Sequence, residues 1–269
     1  MLTSLGRPTR VWAVPAVFGE AGRLAALHRV LQPRLQAGDR LVYLGNYMGR
    51  GPRVAETFDE LLGFRRRLVE RQGWPEAHVV HLRGAQEEMW VKLLQIQWAL
   101  HPADTFDWMM AQGVDATLRA YGGDPAEAGA KFRAGVVVTT RWTNELRENF
   151  MRHKGHYHFL HRLSSAAFTD DGGLLLVSAG LDPARPLEKQ NDLFWWSSPA
   201  FEAERPRYGD FTLVVRGYDA EHAPPAYEAP VASIDAGCGF GGPLSAACFA
   251  ADGSLIETLE APAGEDDTP

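Results

Sequence analysis

Between residues 10 and 99 the chain runs three times from a short apolar stretch through a glycine into a helical pattern, and few folds accommodate that rhythm. Residues 10–18 (RVWAVPAVF) end at Gly19 and precede Leu24, Leu27, Val30, Leu31 and Leu35 at helical spacing. Residues 40–45 end at Gly45 and lead into a helix over about 53–72. Residues 78–82 end at Arg83–Gly84 and feed a helix over 86–99. A strand–loop–helix unit so repeated predicts an α/β fold. In such folds a ligand site forms outside the C-terminal ends of the strands.

Further along, residues 100–165 are helical in pattern and rich in aromatics, and read as an insertion or cap. Strands are expected at 173–179 (GLLLVSA), 211–216, 231–235, 244–250 and 254–259, which have the β-branched and aromatic content of sheets. One domain is expected over residues 1–258. Residues 259–269 are acidic and lack large apolar side chains beyond Leu259, so a disordered tail is expected there. No internal repeat is present.

Composition removes several classes. A chain of 269 residues with 45% hydrophobic content buries a substantial core. A net charge of −7 and a pI near 5.7 leave no basic surplus to replace phosphate counterions, which argues against a nucleic-acid partner. The N-terminus lacks the apolar segment of a signal peptide, and no run reaches membrane-spanning length. Cys238 and Cys248 are too few for a disulfide framework and lack metal-ligand spacing. A soluble, cytoplasmic protein is expected.

Residues 41–53 read LVYLGNYMGRGPR and residues 79–89 read VVHLRGAQEEM. Both resemble signature blocks of the metallophosphoesterases, in the calcineurin-like branch of bacterial serine/threonine protein phosphatases and diadenosine tetraphosphatases, which have GDxVDRG and RGNHE there. WMMAQGVDATLRAYGGDP (108–125) is similar to an NGGxxTLxSYGxDP block of bacterial and phage members, and IDAGCGFGGPLSA (234–246) to LDTGxxYGGxLTA. The resemblance extends from about residue 10 to 258. It implies two mixed β-sheets packed face to face and flanked by helices, with a helical cap from about 100 to 165.

The family's ligand positions fall on residues that do not bind metals. In the GDxHG frame the Asp and His fall on Ala16 and Phe18, and the Asp bridging both metals falls on Asn46. The RGNHE Asn and its general-acid His fall on Ala85 and Gln86, and the Asp orienting that His falls on Gly49. The last two His positions fall on Ser178 and Tyr218. A binuclear centre needs carboxylates and neutral imidazoles. Alanine and phenylalanine offer no donor atom, and Asn46 and Ser178 offer only weak neutral oxygens. No metal or other cofactor is expected. Phe18 and Tyr218 are large enough to fill the vacated space, so a filled former active site is expected, each ring contributing on the order of 2 kcal/mol if fully buried.

Three arginines survive near these positions: Arg50, Arg83 and Arg216. They form a candidate anion cradle for phosphate or carboxylate; alternatively, Arg50 and Arg83 pair with scaffold carboxylates such as Glu87 or Glu88. His153, His156, His158 and His161 cluster in HKGHYHFLH, but at about 100° per residue they spread around a helix, as a surface or cap cluster would. DLFWWSSPAF (192–201) either lines a groove or packs the core. Ser178 has no G-x-S-x-G elbow and Cys238 no evident base. GCGFGG (237–242) lacks the Lys-Ser/Thr ending of a phosphate loop and reads as a hairpin turn between two strands.

The resemblance therefore implies a pseudophosphatase: a binding, regulatory or scaffold module whose partner is a protein or a phosphorylated ligand. The alternative is a phosphoric ester hydrolase with a displaced or rebuilt metal site, drawing donors from Asp39, Asp219, Asp235 or the cap histidines. A purely structural subunit is a third reading.

Overall fold

The computed structural model describes residues 1–262. Strands β1 (Leu2–Ser4), β2 (Arg10–Val14), β3 (Arg40–Tyr43), β4 (Val79–His81) and β5 (Ala166–Phe168) are followed by β6 (Leu174–Val177), β7 (Leu213–Arg216), β8 (Val231–Ser233), β9 (Ser245–Ala250) and β10 (Leu255–Glu260). They form two five-stranded sheets, in the orders β10-β9-β2-β3-β4 and β1-β5-β6-β7-β8. Each sheet has a parallel trio, β2-β3-β4 or β6-β7-β8. Antiparallel pairing joins β9 to β2 and β10, and β5 to β6. Both sheets are therefore mixed, as expected.

The period of two along each strand decides which side chain enters which layer. Val11, Ala13, Val42 and Leu44 face Leu174, Leu176, Leu213 and Val215 between the sheets. The alternate residues Trp12, Val14, Leu41 and Tyr43 point to the opposite face of the first sheet. There they meet helices α1 (Ala21–Leu31), α2 (Val54–Gln72) and α3 (Ala85–Leu93). Helix α2 buries Val54, Phe58, Leu61, Phe64 and Leu68, a stripe at spacings of three and four. It ends at Gly73, whose φ of 68° suits the left-handed C-terminal cap.

Residues 100–165 contain α4 (Pro102–Ala111), α5 (Val114–Ala120), α6 (Pro125–Arg133), α7 (Val136–Arg152) and α8 (His156–His161). Phe106, Leu118, Trp142 and Phe150 of these helices belong to the same apolar cluster as Trp12 and Leu41. The outer face of the second sheet is covered by α9 (Leu193–Trp196) and α10 (Pro199–Glu204), with Phe194 and Phe201 against Leu175, Val177 and Val214. Among the described residues no helix is long and apolar enough to cross a membrane.

Several expectations need correction. The helix expected over 86–99 stops at Leu93, and a single 3-10 turn follows at Ile96–Trp98. Strands β1 and β5 had no local signal: each is three residues long and they pair across more than 160 residues. Residues 237–242 are not a hairpin turn but part of the segment 234–244, which connects β8 of one sheet to β9 of the other, so the glycines shape a crossing between layers. The tail expected from 259 starts too early. β10 runs through Glu260, and Ala261 is buried with its amide on Leu244 O at 2.8 Å. Pairing with β9 satisfies this backbone whatever the charge of its outward side chains. The acidic remainder, 263–269, lies outside the described residues.

Candidate functional site

Five loops leave the C-terminal ends of β2, β3, β4, β6 and β7 and are stitched together through their backbones. Val17 N and Phe18 N donate to Asn46 O at 3.0 and 2.8 Å. Ala16 N donates to Gly217 O and Gly217 N to Ser178 O, both at 3.0 Å. The sequence-singled positions Ala16, Phe18, Asn46, Ala85, Gln86, Ser178 and Tyr218 thus gather at one end of the two sheets. Phe18, Asn46 and Arg50 hold positive φ values of 50°, 55° and 51°, which the surrounding hydrogen bonds fix.

The loops are pinned by a carboxylate. Glu87, fully buried in the first turn of α3, accepts from the amides of Asn46, Tyr47, Met48 and Gly84 at 2.7–3.2 Å. Burial pushes its carboxyl above the usual range, and the four amides oppose that shift. Asn46 Oδ1 accepts from Gln86 N at 3.1 Å, and Gln86 Nε2 donates to Gln112 O at 2.8 Å. Two glycines are compulsory. A Cβ on Gly84 would collide with the Asn46 amide and side chain, and one on Gly49 (φ 85°) with the Gln86 carboxamide.

Aromatic rings occupy much of the space between the loops. Phe18, 2% exposed, packs edge-on to Tyr218 with ring centroids 5.6 Å apart and to Phe240 at 5.3 Å. His222 lies 3.8 Å from Phe240, and the Arg50 guanidinium stands 4.1 Å from the same ring. Burial raises the Tyr218 hydroxyl pKa, against the opposing charge of Arg50. The filling is incomplete. A cavity of about 260 Å³ is left, lined by Phe18, Asn46, Arg50, Gln86, Tyr218 and the tryptophans 108, 195 and 196 among others.

The three arginines do not converge into a cradle. Arg216 is fully buried and committed to Asp219, to Glu202 at 2.7 Å and to Ser233 at 3.2 Å. Arg83 pairs with Glu88 at 2.8 Å, the ion-pair alternative raised for it from sequence. Only Arg50 of the three lines the cavity, exposed and with no carboxylate partner among the described residues. The acids named as displaced donors are also engaged. Asp39 binds Arg10 at 2.6 Å, Asp219 takes Arg205 at 3.1 Å as well as Arg216, and Asp235 accepts the Asp219 and Gly237 amides.

The histidines need correction as well. His158 and His161 are exposed, but His156 is fully buried, with Nδ1 3.0 Å from Tyr121 Oη and Nε2 3.1 Å from Asp59. It is a core residue linking α8 to α2 and to Tyr121, which caps the C-terminus of α5. Among the described residues no three His, Cys, Asp or Glu side chains gather to hold a metal ion. The binuclear centre that the fold implies does not fit the side chains at these positions, which supply neither carboxylate nor imidazole.

The Trp-rich segment takes both of its readings: Phe194 packs the second sheet while Trp195 and Trp196 line the cavity. Two residues escaped the sequence reading. Trp108 meets Trp196 at the cavity mouth with centroids 5.9 Å apart, and Phe240 packs against Phe18 and the Arg50 guanidinium, two residues of the lining. Both stood inside the family-like blocks, Phe240 at the tyrosine of YGG, so their motif positions were the available signal.

The architecture is the metallophosphoesterase fold. A protein assigned as a diadenosine tetraphosphatase superposes with a TM-score of 0.58 at 20% identity, over 98% of this chain and 99% of that one. A protein serine/threonine phosphatase from Saccharomyces cerevisiae gives 0.54 at 12% identity, over 98% and 85%. A cold-active protein-tyrosine phosphatase of a psychrophilic Shewanella gives 0.53 at 13%, over 97% and 82%. No protein-family model and no curated protein matches the sequence.

Proposed function

We propose that this chain is a pseudophosphatase, a metallophosphoesterase-like protein that binds a ligand or partner at the former active site without metal-dependent hydrolysis. One observation carries this reading: the five strand-end loops of the phosphatase fold come together, yet present Ala16, Phe18, Asn46, Ala85, Gln86, Ser178 and Tyr218. Alanine, phenylalanine and serine cannot offset the charge of two divalent ions or lower the pKa of a bound water. The retained Glu87 is spent on four backbone amides, so the scaffold function of this block survives while its chemistry is gone.

The test is elemental analysis before and after dialysis against manganese, together with turnover of a generic phosphate ester. The reading expects no stoichiometric metal and no turnover. Two ions per chain with hydrolysis would overturn it in favour of a hydrolase with a rebuilt site.

A further inference from the structure

The residual cavity has a chemical character of its own. Its body is aromatic: Phe18 and Tyr218 on one side, Trp195 and Trp196 on another, and Trp108 at the mouth. Trp108 and Trp196 are 47% and 40% exposed, large apolar surface at the entrance rather than in the core. At about 260 Å³ it lies just below the roughly 300–1,000 Å³ of drug-sized ligand sites, so it suits one or two rings.

Among the described residues its unused polar groups are mostly donors: Trp195 Nε1 is buried without a partner, as are the Ser197 hydroxyl, which can donate or accept, and one acceptor, Gln86 Oε1. Asn46 is 1% exposed, and its Oδ1 is taken by the Gln86 amide. That leaves Nδ2 with no partner among the described residues, in a residue lining the cavity. Among the described residues Tyr218 Oη likewise makes no hydrogen bond, and the Arg50 guanidinium meets the Phe240 face and no carboxylate. The other charge in the wall, Glu202, is paired with Arg216 at 2.7 Å.

We propose that this cavity binds a small planar aromatic monocarboxylate, its carboxylate on Arg50, Asn46 Nδ2 and Tyr218 Oη and its ring among the tryptophans. One guanidinium balances one carboxylate, and its fork matches the two oxygens. A phosphate monoester carries about −1.5 to −2 at neutral pH, more than a single arginine offsets in a largely apolar cavity. A cationic ligand would meet Arg50. The ring walls supply offset or edge-on partners for an arene, which an aliphatic acid cannot use as well.

This inference rests on the metal-free reading of the site. Titration calorimetry with benzoate and indole carboxylate, against cyclohexanecarboxylate and phenyl phosphate, tests it, each run with and without manganese. Saturable one-to-one binding of an aromatic carboxylate is expected, with cyclohexanecarboxylate weaker by about fivefold. Arg50→Ala should weaken benzoate by about tenfold or more, and Trp108→Ala severalfold; both residues are exposed, so neither variant threatens folding. The inference is overturned by no saturable heat at millimolar benzoate, by phenyl phosphate binding more tightly than benzoate, or by unchanged affinity in Arg50→Ala. If manganese binds stoichiometrically and the ester turns over, the metal-free reading falls. Without metal uptake, absence of carboxylate binding overturns only this proposal.

Discussion

At the scale of single residues, positions 49 and 86 show how two neighbouring residues accommodate each other. Position 49 has room for no side chain because the Gln86 carboxamide lies against it, and its φ of 85° suits glycine in any case. Gly49→Ala should cost about 1–3 kcal/mol, and adding Gln86→Ala should recover the steric part, giving a double-mutant cycle with favourable coupling in urea unfolding. Additive effects would mean that the two positions do not press on one another. His81 offers a pH handle. Its ring stacks on Tyr43 at 4.8 Å, and burial pushes its pKa down to about 3. The native state therefore binds fewer protons than the unfolded chain between that value and the ordinary one near 6.5. Stability is complete above the unfolded value and lost as pH falls towards the folded one, about 2 kcal/mol of it between pH 7.5 and 5. His81→Phe should flatten that interval of the stability curve by the same amount. An identical pH slope in the variant would contradict the assignment.

Among the elements, those whose burial follows their own sequence were the legible ones. The helix expected over about 53–72 is α2, which buries Phe58, Leu61, Phe64 and Leu68 on one stripe, and β2 and β3 were legible as continuous apolar runs, since both faces of their sheet are covered. The strand runs were nevertheless expected too long. Residues 15–18 and 44–45 read as apolar strand, but their backbones turn to hydrogen-bond neighbouring loops, Val17 and Phe18 to Asn46. β10, expected at 254–259 and found at Leu255–Glu260, exposes Leu255 and Ile256, and its order comes from pairing with β9. Truncation after Gly253 would leave β9 as an unpaired edge. The expected result is a lower melting temperature and concentration-dependent association, both read by scanning calorimetry and light scattering. An unchanged melting temperature would make β10 dispensable.

For the whole molecule, the question is whether the helical region behaves as a separate body. Phe106, Trp142 and Phe150 share one apolar cluster with Trp12, Leu41 and the helices of the first sheet. Thermal unfolding should therefore be a single transition over residues 1–262, with far-ultraviolet dichroism and tryptophan fluorescence coinciding. Two separated transitions would mark an independently folding cap.

Composition, periodicity and motif frame by themselves determined the layered α/β architecture and the end of the sheets where a site would be built. They also show that Ala16, Phe18, Asn46, Ala85, Ser178 and Tyr218 carry neither carboxylate nor imidazole. These are local properties: a strand's alternation and a residue's donor atoms are written in the chain. Only the tertiary structure decided which of the three arginines has no carboxylate partner among the described residues. Arg83 and Arg216 look like Arg50 in sequence, and only packing brings Glu88 to the first and Asp219 and Glu202 to the second. It likewise decided that Trp108 and Trp196 share one cavity with Phe18 and Tyr218, and that Phe240 packs against Phe18. Partner choice depends on contacts between segments far apart in the chain, and those arise only once the two sheets and their crossing loop have closed on each other.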